Sequence, residues 1–93
     1  MSKFVAKTYY LFNDRGELVD EFIGLAAAKE AGDEGGHAAR WKKYSFSHTH
    51  GGPMLTEYNG GSGNAYTIRD FMPENFPESR WTRRYRIRRY GSA

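Results

Sequence analysis

Apolar and polar side chains alternate along much of the chain with a period of two, the pattern of strands that turn one face inward. Over residues 4–12 the even positions Phe4, Ala6, Thr8, Tyr10 and Phe12 are largely apolar, and so are the odd positions Val5, Tyr9 and Leu11, with Lys7 the exception. A strand that is apolar on both faces is expected in the middle of a sheet. Asn13-Asp14-Arg15-Gly16 follows. Asn and Asp favour the start of a type I turn, and Gly16 can take the left-handed conformation that closes it with a bulge. A hairpin is therefore predicted, with residues 17–23 as its second strand, ended by Gly24.

Leu25-Ala26-Ala27-Ala28-Lys29-Glu30-Ala31 is the strong helical stretch, because alanine has the best helix propensity and Gly32, Gly35 and Gly36 supply stop signals. Leu25 and Ala28 share one face at helical spacing, which suits close packing on a sheet. A further helical turn is compatible with His37-Ala38-Ala39-Arg40-Trp41. After it, Tyr44, Phe46 and His48 alternate with Ser45 and Ser47, which predicts a strand with one buried face. The glycines and Pro53 of Thr49-His50-Gly51-Gly52-Pro53 end that strand. Residues 54–58 and 65–71 are two further strands, joined by Asn59-Gly60-Gly61-Ser62-Gly63-Asn64, a connection flexible by composition.

Met72-Pro73-Glu74-Asn75-Phe76-Pro77 is an irregular link, since two prolines exclude a central strand. The last strand is expected over residues 80–90, with Trp81, Tyr85 and Ile87 on one face and Arg80, Arg84, Arg86 and Arg88 on the other. Residues 91–93 read as a frayed end or a cloning remnant. The order ββαββββ predicts a single α+β domain over residues 1–93: a mainly antiparallel sheet of five to six strands with one short helix packed on it.

A length of 93 residues argues against two independent cores of ordinary size, and so against a multidomain enzyme. The chain has 39% apolar residues, 16% aromatics and no cysteine, enough large side chains to close a core without disulfides or a zinc–thiolate site. No apolar run approaches the roughly 20 residues of a membrane span, and Lys7 interrupts any signal-peptide core. A cytoplasmic protein of a bacterium or a virus is expected.

The formal charge of +3 conceals a division of the chain. Residues 1–78 carry eight basic side chains and all eleven acids, a balance of −3, whereas residues 79–93 carry six arginines and no acid, a balance of +6. Seven acids lie early: Asp14, Glu17, Asp20, Glu21, Glu30, Asp33 and Glu34. Two arrangements follow from this split. The arginine segment faces outward to meet phosphates or an acidic partner surface, or it lies beside the acidic hairpin and each neutralises the other across the sheet.

Candidate chemistry adds little catalytic promise. His48 and His50 lie two apart, but a zinc ion needs a third and usually a fourth ligand, which only His37 or Glu57 would supply through folding. A nuclease would pair a histidine with Glu57 as acid and base and hold phosphate with an arginine, yet residue types without spacing do not define a site. Gly60-Gly61-Ser62-Gly63 lacks the Lys and helix context of a phosphate loop. Neither catalysis nor a metal or cofactor is expected. The aromatic and basic interleaving of Arg80-Trp81-Thr82-Arg83-Arg84-Tyr85-Arg86-Ile87-Arg88-Arg89-Tyr90 is the most informative feature, since arginine makes bidentate contacts with phosphate or carboxylate while the aromatics anchor the strand. Arg80, Arg84, Arg86, Arg88 and Arg89 are the candidate partner-binding residues.

The opening Lys7-Thr8-Tyr9-Tyr10-Leu11-Phe12-Asn13-Asp14-Arg15-Gly16-Glu17-Leu18-Val19, running into Leu25-Ala26-Ala27-Ala28-Lys29-Glu30-Ala31, is similar to a hairpin-then-helix arrangement common among small phage and prophage proteins, anti-CRISPR proteins among them. The resemblance covers about the first third of the chain and lies in pattern. It implies a non-enzymatic inhibitor that binds a host nucleic-acid-handling defence complex and blocks its access to DNA. The alternatives are a direct DNA- or RNA-binding module using the same arginines and, third, a small ribonuclease or toxin.

Overall fold

The computed structural model describes residues 7–33, 40–47, 52–61, 66–76 and 88–89. Its first hairpin is built by Asn13. The Asn13 side-chain oxygen accepts from the backbone N–H groups of Arg15 and Glu17 at 2.9 and 3.0 Å, its Nδ2 donates to Glu17 Oε1 at 2.7 Å, and its carbonyl accepts from Gly16 N–H at 3.0 Å. Gly16 sits at φ 80°, where a side chain would be strained. This turn joins β1 (Thr8–Phe12) to β2 (Glu17–Ile23). Their register passes from Leu11↔Asp20 to Phe12↔Leu18, so a bulge at Val19 places Leu18 beside Phe12.

Gly24, at φ 96°, turns the chain into α1 (Leu25–Gly32). β3 (Lys42–Ser47), β4 (Met54–Gly60) and β5 (Tyr66–Arg69) follow, then a short 3₁₀ turn (Pro73–Asn75) and the two-residue β6 (Arg88–Arg89). Five strands pair antiparallel in the order β3-β4-β5-β1-β2, and β6 lies parallel to β2 at the end of the sheet. The fold is α+β, mainly sheet, with one helix packed on it. Among the described residues no helix is long and apolar enough to cross a membrane.

Both faces of the sheet are covered. On one, the laterally paired residues Tyr58, Ile68 and Leu11 form a row under α1, closed by Ala28 and Trp41. Small residues at i and i+4 of the helix, Ala28 and Gly32, allow this approach: a Cβ on Gly32 would stand 3.0 Å from the Trp41 ring and 3.1 Å from Leu11. On the other face the row runs Tyr44, Glu57, Arg69, Tyr10, Glu21, and Phe12, Leu18 and Met72 make a second core. Phe71 closes over this side, edge-on to Phe46 at 5.9 Å and to Phe76 at 5.8 Å. Burying each large apolar side chain in these clusters stabilises by about 1.5–3 kcal/mol.

Four boundaries and roles differ from the sequence reading. β4 runs on to Gly60 and β5 is shorter than residues 65–71, because Asp70 leaves the ladder: its N–H donates to Thr56 O and its Oδ1 accepts from Thr56 N–H at 2.9 Å. Gly60 and Gly61 belong to the packed structure. Gly61 is buried at φ +91°, where a Cβ would meet Trp41 at 2.7 Å and Gly32 O at 2.9 Å. The expected buried face of β3 is only partly buried, since Tyr44 is 44% exposed while Phe46 alone leans on Phe71. The irregular link after Met72 proves to be the cover of the second face, with Met72 and Pro73 buried.

Candidate partner-binding edge

The arginine segment reaches the sheet beside the acidic hairpin. The backbone of Arg88–Arg89 pairs with Glu17 and Leu18, Glu17↔Arg88 and Leu18↔Arg89. Arg80, Arg84 and Arg86, and with them Trp81, Tyr85 and Ile87, lie outside the described residues. Two of the five candidate arginines are therefore brought by their backbone to the β2 edge, next to the acids that the charge split had set against them.

A groove of about 390 Å³ opens across the hairpin end of the sheet, adjoining this pairing at Glu17 and lined among the described residues by Asn13, Asp14, Arg15, Glu17, Val19 and Tyr66. Val19 and Tyr66 also pack against the core under α1, so the apolar part of this lining is fixed by the fold. Asn13 holds the Glu17 carboxylate, which fixes one charge, whereas Asp14 and Arg15 project into solvent from the turn. Asp20 and Glu21 are exposed farther along β2. The edge thus offers anchored apolar surface and charges of both signs. Such an arrangement suits a polypeptide partner, which can answer both signs, better than a bare polyanion, which the carboxylates repel.

Sequence reasoning read Asn13-Asp14-Arg15-Gly16 as a turn alone; that the turn walls a groove depends on Tyr66, which comes from β5 and carries no local signal. Glu57 has a different place from the one the catalytic and metal readings required. It is fully buried in β4 opposite Arg69, whose Nη2 lies 3.8 Å from Glu57 Oε2, so its carboxylate is withdrawn from solvent. His37, His48 and His50 lie outside the described residues, among which no group of three or more His, Cys, Asp or Glu gathers to hold a metal ion. No protein-family model matches the chain, and no curated protein or solved structure matches it at a significant level.

Proposed function

We propose that the chain is a small non-enzymatic binding protein that engages a nucleic-acid-handling protein complex through the β2–β6 edge, in the manner implied by the anti-CRISPR resemblance. The observation that carries this reading is the pairing of Arg88–Arg89 with Glu17–Leu18 beside the hairpin groove. It holds the end of the arginine segment at the outside of the sheet and puts it in company with carboxylates. A surface of that kind selects a protein of complementary mixed charge, and Arg80, Arg84, Arg86, Arg88 and Arg89 supply its cationic half. Binding there would block the partner's own contacts with DNA or RNA by occupying a phosphate-accepting surface of the complex. The setting is the cytoplasm of the host cell.

The test is capture from bacterial lysate with and without nuclease, comparing the wild type with Arg84→Glu/Arg86→Glu/Arg88→Glu. Partner proteins retained after nuclease treatment and lost from the triple variant support the reading. Recovery that vanishes with nuclease, or that the triple variant matches, overturns it.

A further inference from the structure

A second cationic surface lies on the helix-covered face, distant in sequence from the arginine segment. Tyr58 is its centre. Lys29 of α1 sits with its ammonium 4.9 Å from the Tyr58 ring centroid, and Lys43 of β3 is the lateral partner of Tyr58 in the ladder, so the two side chains project from the same face. Lys7 approaches from the start of β1. Its Nζ lies 2.9 Å from Asp70 Oδ2, and Asp70 is tied through its other oxygen to the N–H of Thr56, two residues before Tyr58 on the same strand face. Thr56 Oγ1 and Ser45 Oγ stand 3.4 Å apart across β3 and β4, on that face as well.

Lys29 thus stands over the Tyr58 ring, Lys43 shares that face as the lateral partner of Tyr58, and Lys7 is held nearby by Asp70. Asp70 engages Lys7 and is itself almost wholly buried, whereas among the described residues no carboxylate pairs with Lys29 or Lys43. Lys7 and Lys43 are exposed, and exposed Arg40 and Lys42 extend the positive charge along the same end of β3. Arg40, Lys42 and Lys43 thus set basic residues close together along the start of β3, the strand at the end of the sheet.

We propose that Lys29 and Lys43, extended by Arg40 and Lys42 and joined by the hydroxyls of Ser45 and Thr56, form a binding surface for the phosphate backbone of a single nucleic-acid strand. The lysines neutralise successive phosphates and the hydroxyls donate to their oxygens. This surface is independent of the β2–β6 edge and does not rest on the protein-partner reading.

The experiment is fluorescence anisotropy of a labelled oligothymidine with the full chain, measured over a series of salt concentrations. Neutralising one phosphate of a single strand contributes about 0.7 to the slope of log affinity against log salt. Lys29→Ala/Lys43→Ala is therefore expected to flatten the slope by about 1.4 and to weaken binding roughly tenfold at low salt. Lys29→Arg/Lys43→Arg retains both. Because Lys29 also covers Tyr58, Lys43→Ala alone is measured beside the pair, with an expected loss of about 0.7 in slope. Unchanged slopes in both alanine variants overturn the proposal, as does binding abolished only by Arg84→Glu/Arg86→Glu, which would assign the phosphates to the arginine segment. Displacement of the strand by tripolyphosphate at equal phosphate concentration would identify a free-anion site and equally overturn it.

Discussion

Glu57 and Arg69 face one another across β4 and β5 with 0% and 1% of their surface exposed, their closest charged atoms 3.8 Å apart and the Arg69 guanidinium 4.7 Å above the Phe12 ring. An ion pair sealed inside a sheet is held by its surroundings, because either charge alone in that place would keep its desolvation cost without its partner. Glu57→Ala or Arg69→Met is accordingly expected to destabilise by about 3–5 kcal/mol. The double replacement Glu57→Leu/Arg69→Met should lose much less than the sum of the two. Urea unfolding of the three variants measures this, and additive losses would show that the two side chains do not act as a pair.

Gly61 carries the second expectation. Its φ of +91° disfavours any side chain, and a Cβ would press 2.7 Å from Trp41 and 2.9 Å from the carbonyl of Gly32, neither of which is free to move without opening the core under α1. Gly61→Ala should cost at least about 2 kcal/mol, the sum of a strained backbone and a displaced ring. Near-ultraviolet circular dichroism, which reports the packing of Trp41, should change with it. An unchanged thermal midpoint would refute this role.

These two sites mark the border of what a lone sequence discloses. The hairpin was legible because Asn13, Asp14 and Gly16 act locally, and the helix because Leu25 to Ala31 contains its own propensity and stop signals. Alternation pointed to the strands β1 to β5, whereas of the strand expected over residues 80–90 only Arg88–Arg89 lies within the described residues. It did not tell that both sheet faces are covered, since Phe71, Met72 and Pro73 close the second face from a segment that reads as an irregular link. Hence Glu57, polar and in mid-strand, read as an available acid while in the fold it is a buried ion-pair partner. Gly60 and Gly61 read as flexible for a similar reason: the groups that demand their small size, the Arg40 carbonyl beside Gly60 and the Trp41 ring beside Gly61, lie about twenty residues earlier. That Lys29 and Lys43 share the Tyr58 face was hidden because only the packing of α1 on the sheet and the β3–β4 register bring them to it.

The hairpin turn yields a third expectation. Asn13 serves Arg15, Glu17 and its own side-chain bond to the Glu17 carboxylate, three contacts that alanine removes together. Asn13→Ala should destabilise by about 1–2 kcal/mol, as loss of a comparable capping side chain does. It also frees the Glu17 carboxylate at the mouth of the groove, so partner capture should weaken along with stability. Asn13→Asp keeps the oxygen that accepts from the two N–H groups but sets a second carboxylate against Glu17. Its loss of stability should therefore shrink as rising salt screens the repulsion. A salt-independent loss would show that the side-chain amide does not govern the Glu17 charge.

The last expectation concerns Lys7 and Asp70. The hydrogen bond and the charge of Asp70 raise the Lys7 ammonium above its ordinary value of 10.5, against a smaller opposing effect of burial. A group whose value is raised in the folded state stabilises fully below its unfolded value, and that contribution disappears as pH climbs through the folded one. The Lys7–Asp70 contact should thus be intact from neutrality to about pH 10 and fade above 10.5. Wild-type stability alone sums many contributions and does not isolate the contact. The difference from Asp70→Asn does, because asparagine retains an oxygen for the Thr56 N–H and removes both the charge and the acceptor that Lys7 uses. The gap in thermal midpoint between wild type and Asp70→Asn should stay level up to about pH 10 and close toward about pH 12. Since Lys7 is 61% exposed, the gap should also narrow with added salt. A gap that closes near neutrality, or persists undiminished at the alkaline end, would show that the contact does not depend on the Lys7 proton.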